Sequence, residues 1–199
     1  TLEYTVSGLN IGSDPAVNTF ITDTLEGNMT YIPNSTEIIF GPNSGAKSDA
    51  SGDDQVDYIS SSKVVRVRIG TGANGFIGGQ VNNSPSGTDS TIFKFKVKVS
   101  DDCIYLACDN IINNKANIIG TGNVSGNEFN NKSNPGIFDG NGCAISGSTA
   151  TPISMGSCSV SPIASVSTPI CAGSTINFTA SLSPSARYEW TGPNNFSST

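Results

Sequence analysis

The stretch STIFKFKVKVS, residues 90–100, carries the clearest structural signal in the chain. Its apolar residues alternate strictly with lysines: Phe93, Phe95, Val97 and Val99 against Lys94, Lys96 and Lys98. A period of two places successive side chains on opposite faces of a β-strand. We therefore predict a half-buried strand whose apolar face enters a core and whose lysines face water.

Shorter runs with strand patterning occur along the first 120 residues. They are TLEYTVSGL (1–9), TFITDTL (19–25), MTYIPNSTEIIF (29–40, bent at its proline), KVVRVRIG (63–70) and DNIINNKANIIG (109–120, a strand pair or a bulged strand). No segment sustains the helical period of 3.6. Several short strands at this spacing predict an all-β sandwich.

The pattern weakens after residue 140, where the chain becomes rich in Ser, Pro and Gly, and it resumes at ICAGSTINFTASL (170–182). We predict a β-sandwich domain over residues 1–154, a linker over 155–168, and the start of a second sandwich over 169–199. This last unit is short for a domain that folds without covalent staples.

Composition excludes several classes of function. The chain has 199 residues, ten basic residues and a net charge of −6, whereas a nucleic-acid surface needs clustered Lys and Arg. It has no histidine, so a Ser/His/Asp triad is impossible within it. No apolar run approaches the roughly 18 residues of a membrane span. We predict a non-enzymatic protein with neither a nucleic-acid partner nor a membrane span.

A glycine motif after one predicted strand resembles a dinucleotide-binding loop. Gly70, Gly72 and Gly75 have the G-x-G-x-x-G spacing. That chemistry needs a helix directly afterwards, whose N-terminal amides hold the pyrophosphate. The following residues, FIGGQVNNSPSG (76–87), cannot sustain a helix. The motif therefore predicts a glycine-rich turn.

An acidic loop, SGAKSDASGDDQVDY (residues 44–58), is the strongest candidate site. Its carboxylates, with two neutral side chains as helpers, could supply oxygen ligands to Ca²⁺: Asp49, Asp53, Asp54 and Asp57, with Asn43 and Gln55. The spacing is not that of an EF-hand, which needs Gly at its sixth and Glu at its twelfth position. The alternative is a solvated loop neutralised by Lys47 and Lys63.

The five cysteines form no Cys-x-x-Cys pair, so a zinc site is not expected. In an acidic chain rich in Ser, Thr and Asn, disulfides are the better interpretation. We predict a Cys103–Cys108 bridge, for which CIYLAC must turn back on itself, because a bridge needs Cα atoms about 4.4–6.8 Å apart. Cys143 and Cys158 are the next predicted pair, which leaves Cys171 free.

The first 38 residues resemble a known family, the conserved-repeat domain of bacterial cell-surface proteins. The resemblance rests on Tyr4-Thr5-Val6, Asp14-Pro15-Ala16, Thr22-Asp23-Thr24-Leu25 and TYIPNS (30–35). It continues through the acidic loop and GTGAN, covers about residues 1–154, and departs at Glu26, where proline is usual. It implies a β-sandwich repeat whose leading strand is truncated here, and it strengthens the expectation of calcium.

The last segment, PICAGSTINFTASLSPSARYEWTGPNNFSST (169–199), is similar to Ig-like or PKD-like repeats of Bacteroidetes surface adhesins. These include gliding-motility adhesins exported by type IX secretion. The similarity implies an extracellular, cell-surface stalk or adhesin segment. Its expected partners are neighbouring repeats, surface glycans or other cell-surface proteins. Thr24 and Ser90 follow aspartates in a pattern that resembles a Bacteroidetes O-glycosylation signal, although both are equally well placed in ordinary turns.

A rival hypothesis is a carbohydrate-binding module, or an accessory domain of a secreted hydrolase. Such a module needs an exposed aromatic platform. The chain has one tryptophan and five tyrosines, and Trp190 is expected to be the core tryptophan of the second unit. The sequence therefore favours the stalk or adhesin segment.

Overall fold

A computed structural model gives the structure of the protein. It describes residues 1–84, 86–101, 111–133, 151–154, 164–166, 172–173, 175, 177–180, 189–192 and 195–198. The strands of the first unit are β1 (Leu2–Gly8), β2 (Ala16–Thr24), β3 (Met29–Tyr31), β4 (Glu37–Phe40), β5 (Gly45–Ala46), β6 (Val56–Ile59), β7 (Val64–Arg68), β8 (Gly79–Val81), β9 (Thr91–Val99), β10 (Ile111–Asn114), β11 (Ala116–Gly122), β12 (Glu128–Lys132) and β13 (Thr151–Ser154).

Strand β9 is the centre of the first sheet, called here the β9 sheet. Its order is β1-β9-β4-β5, and β3 also pairs with β9. One edge of β9 pairs with β1 from Leu2↔Val97 to Gly8↔Thr91, while β3 and β4 share the other edge. All these pairings are antiparallel. Four alternate side chains are buried, Phe93, Phe95, Val97 and Val99, which confirms the predicted strand.

The second sheet, called here the β2 sheet, has the order β12-β11-β2-β7-β6, with β8 also paired to β2. Strand β2 pairs antiparallel with β11 on one side and with β7 on the other. Ile21, Val65 and Val67 are each no more than 2% exposed. The apolar sides of β2 and β7 therefore form the second wall of the core.

The two sheets face each other and close a β-sandwich, as the sequence predicted. Gly8 at the end of β1 lies so close to the β2 sheet that an added Cβ would be 2.8 Å from Ile21 Cδ1. It would also lie 3.4 Å from Ile118 Cδ1 of β11. Tyr31 of β3 stacks on Tyr58 of β6, with ring centroids 4.5 Å apart. These contacts join the sheets at two separate places.

One predicted strand, residues 29–40, is divided in the structure, and residues 109–120 form the strand pair that was one of the two predicted alternatives. Residues 29–40 form β3 and β4, because the turn between them includes Pro33, which lacks an amide donor, and Asn34, which has a positive φ of 55°. Residues 109–120 contain β10, which pairs with β13, and β11, which pairs with β2. The chain thus changes partners at Lys115.

The chain divides into two compact units. The first comprises Thr1–Ser100 with Ile111–Ile153, and the second Asp101–Asn110 with Ser154–Thr199. The described strands of the second unit pair as two hairpins: β14 (Ala164–Val166) with β15 (Phe178–Ala180), and β16 (Trp190–Gly192) with β17 (Phe196–Ser198). Strand β14 falls inside the predicted linker, 155–168.

Among the described residues no helix is long and apolar enough to cross a membrane.

Truncating a buried side chain of β9 tests whether one face of this strand forms the core. Phe95 is fully buried and contacts the rings of Tyr4 and Tyr31, so we expect Phe95→Ala to lower the free energy of unfolding by about 3–5 kcal/mol. Lys96→Ala, the neighbour on the opposite face, should change it by less than about 1 kcal/mol. Urea unfolding measures both. Equal losses would contradict a one-sided core at β9.

Candidate functional site

The acidic loop joins β5 of the β9 sheet to β6 of the β2 sheet, and Asp49 ties it to β3 of the β9 sheet. The Asp49 carboxylate accepts a hydrogen bond of 2.5 Å from the hydroxyl of Tyr31 in β3. It also accepts one from the backbone amide of Asn34. The Asp49 carbonyl accepts a hydrogen bond from the backbone amide of Tyr58. Both the side chain and the backbone of Asp49 are therefore held in place.

Asp53 and Asp54 stabilise the turn of the loop itself. The two Asp54 oxygens accept the backbone amides of Ser48 and Val56, each at 2.8 Å. One Asp53 oxygen accepts the amide of Asp54, also at 2.8 Å. Short aspartate side chains commonly satisfy turn amides in this way. These carboxylates therefore form local backbone contacts.

Asp57 is 2% exposed and binds two arginines. Arg68, itself 6% exposed, donates to both carboxylate oxygens at 3.1 Å. Arg66 donates to Asp57 through Nε at 2.6 Å. The amide of Gln55 donates to the Arg68 carbonyl at 2.7 Å. The β6–β7 hairpin thus contains a buried, hydrogen-bonded ion cluster.

The alternative, in which Lys47 and Lys63 neutralise the loop, is wrong for Asp57, whose partners are Arg66 and Arg68. Lys63 donates instead to the carbonyls of Gly27 and Met29. In the described part of the chain neither lysine forms an ion pair with the four aspartates. The cause is strand register, since Asp57 lies opposite Arg66 in the β6–β7 ladder.

The structure does not bring the four predicted calcium ligands together. Each of them is engaged by a different set of donors. Of the residues that the structure describes, no three His, Cys, Asp or Glu side chains form a group that could hold a metal ion. The predicted helper Asn43 donates to the Ala73 carbonyl, and Gln55 is part of the arginine cluster.

The glycine motif is a close-packed turn, as predicted. Gly70 has a φ of +89°, and a Cβ added to Gly79 would lie 2.4 Å from the Gly70 oxygen. The two backbone runs are joined by hydrogen bonds such as Gly79 N to the Ile69 carbonyl, 2.8 Å. A Cβ on Gly75 would lie 2.5 Å from the backbone of Gly52, so this turn packs against the acidic loop.

The two predicted glycosylation positions differ in exposure. Thr24 is exposed at the end of β2. Ser90 is 6% exposed, and its hydroxyl donates to the Gly87 carbonyl at 2.7 Å. A glycan on Ser90 would require this hydrogen bond to break.

The predicted disulfide residues and the free thiol, Cys103, Cys108, Cys143, Cys158 and Cys171, lie outside the described residues.

Comparison with known proteins identifies no family. No family model matches the chain, and no curated protein matches it. Among solved structures, domains D2 and D3 of the major pilin SpaD from Corynebacterium diphtheriae are similar, at a TM-score of 0.42 and 17% identity over 66% of this chain. The collagen-binding domain of a Staphylococcus aureus adhesin has a TM-score of 0.38 and 12% identity over 65%. The match spans 43% of the pilin chain and 85% of the collagen-binding domain.

Removing Asp57 tests the arginine cluster. Asp57→Ala leaves Arg68 buried without its carboxylate, and we expect unfolding free energy to fall by about 3–5 kcal/mol. Asp53→Ala, in the same loop, should cost less than about 1 kcal/mol because Asp53 is exposed. The double variant Asp57→Leu/Arg68→Met should recover most of the loss. A double variant as unstable as Asp57→Ala would contradict an ion-pair origin of the effect.

Alkaline pH should weaken the contact between Tyr31 and Asp49. Burial, together with the hydrogen bond to Asp49, raises the pKa of Tyr31 from 10.0 to about 12. The stabilisation is therefore complete below pH 10 and is lost as pH rises towards 12. Unfolding free energy should decline less steeply across this window in Tyr31→Phe than in the unmodified chain. Parallel declines in urea titrations would show that Tyr31 ionises freely.

Proposed function

We propose that this chain is a non-catalytic stalk or adhesin segment of a large, modular bacterial surface protein. Its role is to space and present an adhesive element outside the cell. The sequence resemblances to surface-protein repeats support this role. The structural observation that carries it is a brace between the two sheets, made of Tyr31, Asp49 and Tyr58.

The brace includes Asp49 of the acidic loop, the segment for which the sequence predicted calcium binding. Tyr31 belongs to the β9 sheet, Tyr58 to the β2 sheet, and Asp49 to the loop between β5 and β6. The tyrosine rings stack at 4.5 Å, while the Tyr31 hydroxyl binds Asp49 at 2.5 Å. Separating the sheets must break the ring contact and the hydrogen bond together. Such coupling favours resistance to load.

A load along the chain would also act on β1. This strand is held by seven residue pairs to β9, the central strand of its sheet. Glu3 of β1 and Lys96 of β9 add an exposed ion pair. Because β9 is paired on its other edge too, displacement of β1 does not by itself open the core. A unit of this kind suits a series of repeats that transmit tension.

Within this proposal, the parent protein is a gliding-motility-type adhesin or a surface filament exported by type IX secretion. Neighbouring repeats, surface glycans or other surface proteins are its partners, and Thr24 is an accessible position for O-glycosylation. Antibodies against residues 1–153 should label intact cells of the source organism. Labelling restricted to permeabilised cells would contradict the surface location.

Pulling the chain by its ends tests the mechanical role. In single-molecule force spectroscopy, Tyr31→Phe should lower the unfolding force of the first unit, because the hydroxyl bond to Asp49 is lost. The matched control is Tyr4→Phe, whose hydroxyl contacts only the Met29 sulfur, at 3.4 Å, among the described residues. An unfolding force unchanged by Tyr31→Phe would remove the brace as the basis of the proposal.

One exposed aromatic favours carbohydrate binding as a second candidate. Phe76 is 79% exposed, next to Ile77 at 56%, and its ring lies against Gly52 of the acidic loop. Sugars stack on exposed rings flanked by polar groups, and Asp53 adjoins Gly52 in the sequence. A glycan array with the unmodified chain and Phe76→Ala distinguishes the functions. Binding that disappears in Phe76→Ala would establish a carbohydrate site.

A further inference from the structure

A second group of polar side chains is buried where the chain passes from β2 to β3. Asp23 at the end of β2 is 1% exposed, and Asn114 at the end of β10 is 7% exposed. The Asn114 amide donates to Asp23 Oδ2 at 2.7 Å, across 91 residues of sequence. One residue earlier, the backbone amide of Asn113 donates to Glu26 Oε1 at 3.2 Å. Strand β10 thus holds both carboxylates.

Each of these side chains retains an oxygen without a hydrogen-bond partner. The unpaired atoms are Asp23 Oδ1, Glu26 Oε2 and Asn114 Oδ1. Asn28, in the same turn as Glu26, is 4% exposed, and both of its side-chain polar atoms lack partners. Buried polar atoms in folded proteins are almost always paired. Four neighbouring residues with unpaired oxygens therefore require an explanation.

The charge of this group is also uncompensated by the protein. Within the described residues, no basic side chain forms an ion pair with Asp23 or Glu26. Both carboxylates, after burial itself, raise the pKa of Tyr4, so each of them lies within electrostatic reach of the Tyr4 hydroxyl.

We infer that Asp23, Glu26 and Asn114, with Asn28 as a further oxygen donor, form a binding site for a hard divalent cation, calcium foremost. The donor set contains only oxygen, which Ca²⁺ prefers, and no nitrogen or sulfur ligand. Two carboxylates balance the charge of one divalent ion. Glu26 is half-exposed and gives the ion a path from solvent. Water completes the coordination of six to eight oxygens.

The site is separate from the acidic loop. Its ligands come from the end of β2 and the turn that follows it, and from β10, which lies 91 residues further along the chain at Asn114. A bound ion would tie β10 to the turn where the chain crosses between the two sheets. It would thereby stabilise the folded state and not the unfolded chain, in which these segments are far apart.

Terbium luminescence provides the first test, because Tyr4 lies within range to sensitise a bound lanthanide. We expect tyrosine-excited Tb³⁺ emission from the unmodified chain, displaced by Ca²⁺ more readily than by Mg²⁺. The melting temperature should also rise with calcium and fall on addition of EDTA. An unmodified chain whose melting temperature is the same in calcium and in EDTA would overturn the site.

Matched variants locate the ion. Glu26→Gln preserves the size and the half-exposed position of the side chain, and it should weaken Ca²⁺ binding by about tenfold or more through loss of a ligand charge. Asn114→Ala should weaken it too. The loop variant Asp53→Asn/Asp54→Asn should bind as the unmodified chain does. Binding that survives Glu26→Gln but is lost in the loop variant would place the ion in the acidic loop and refute this site.

Discussion

The structure depends on the pairing of β9 along both of its edges. β1 occupies one edge, and β3 and β4 divide the other, so three strands of the sheet take their register directly from β9. A slip of one residue would turn Phe93 and Phe95 towards water and bring the lysines into the core. The strict alternation of this strand makes such a slip costly. The position of Tyr31, and hence of the brace to the acidic loop, follows from this register.

In the acidic loop, neighbouring carboxylates are stabilised by hydrogen-bond donors and arginines of the protein itself. Asp49, Asp53 and Asp54 accept hydrogen bonds from amides and one phenol, and only Asp57 is buried with opposite charges. A buried ion pair contributes little net stability, because desolvation offsets the attraction. Its effect is on specificity: the bidentate Asp57–Arg68 contact is compatible with one pairing of β6 with β7.

The sequence was sufficient for strands whose apolar residues alternate, such as β1, β7 and β9, and for the all-β class. It was insufficient for β6, β8 and β12, which are short or largely polar. The arginine partners of Asp57 could have been found by folding residues 56–67 into a hairpin, which places Asp57 opposite Arg66. The Asp23–Asn114 contact had no such local signal, because it depends on a partner 91 residues away.

Asp57 and Asp23 are both buried, but their carboxylates have different electrostatic surroundings. Asp57 and Asp23 are 2% and 1% exposed, and each lies in or at the end of a strand of the β2 sheet. Two guanidinium groups surround Asp57, so its charge is balanced whatever the solution contains. Asp23 receives one amide hydrogen bond, and a neutral amide cannot balance a carboxylate in a low-dielectric interior. The β6–β7 hairpin therefore contains its own counter-charges, whereas the inferred cation site would supply the counter-charge of Asp23 from solution. The ionic composition of the surrounding solution would then affect how firmly the two sheets are joined where the chain crosses between them.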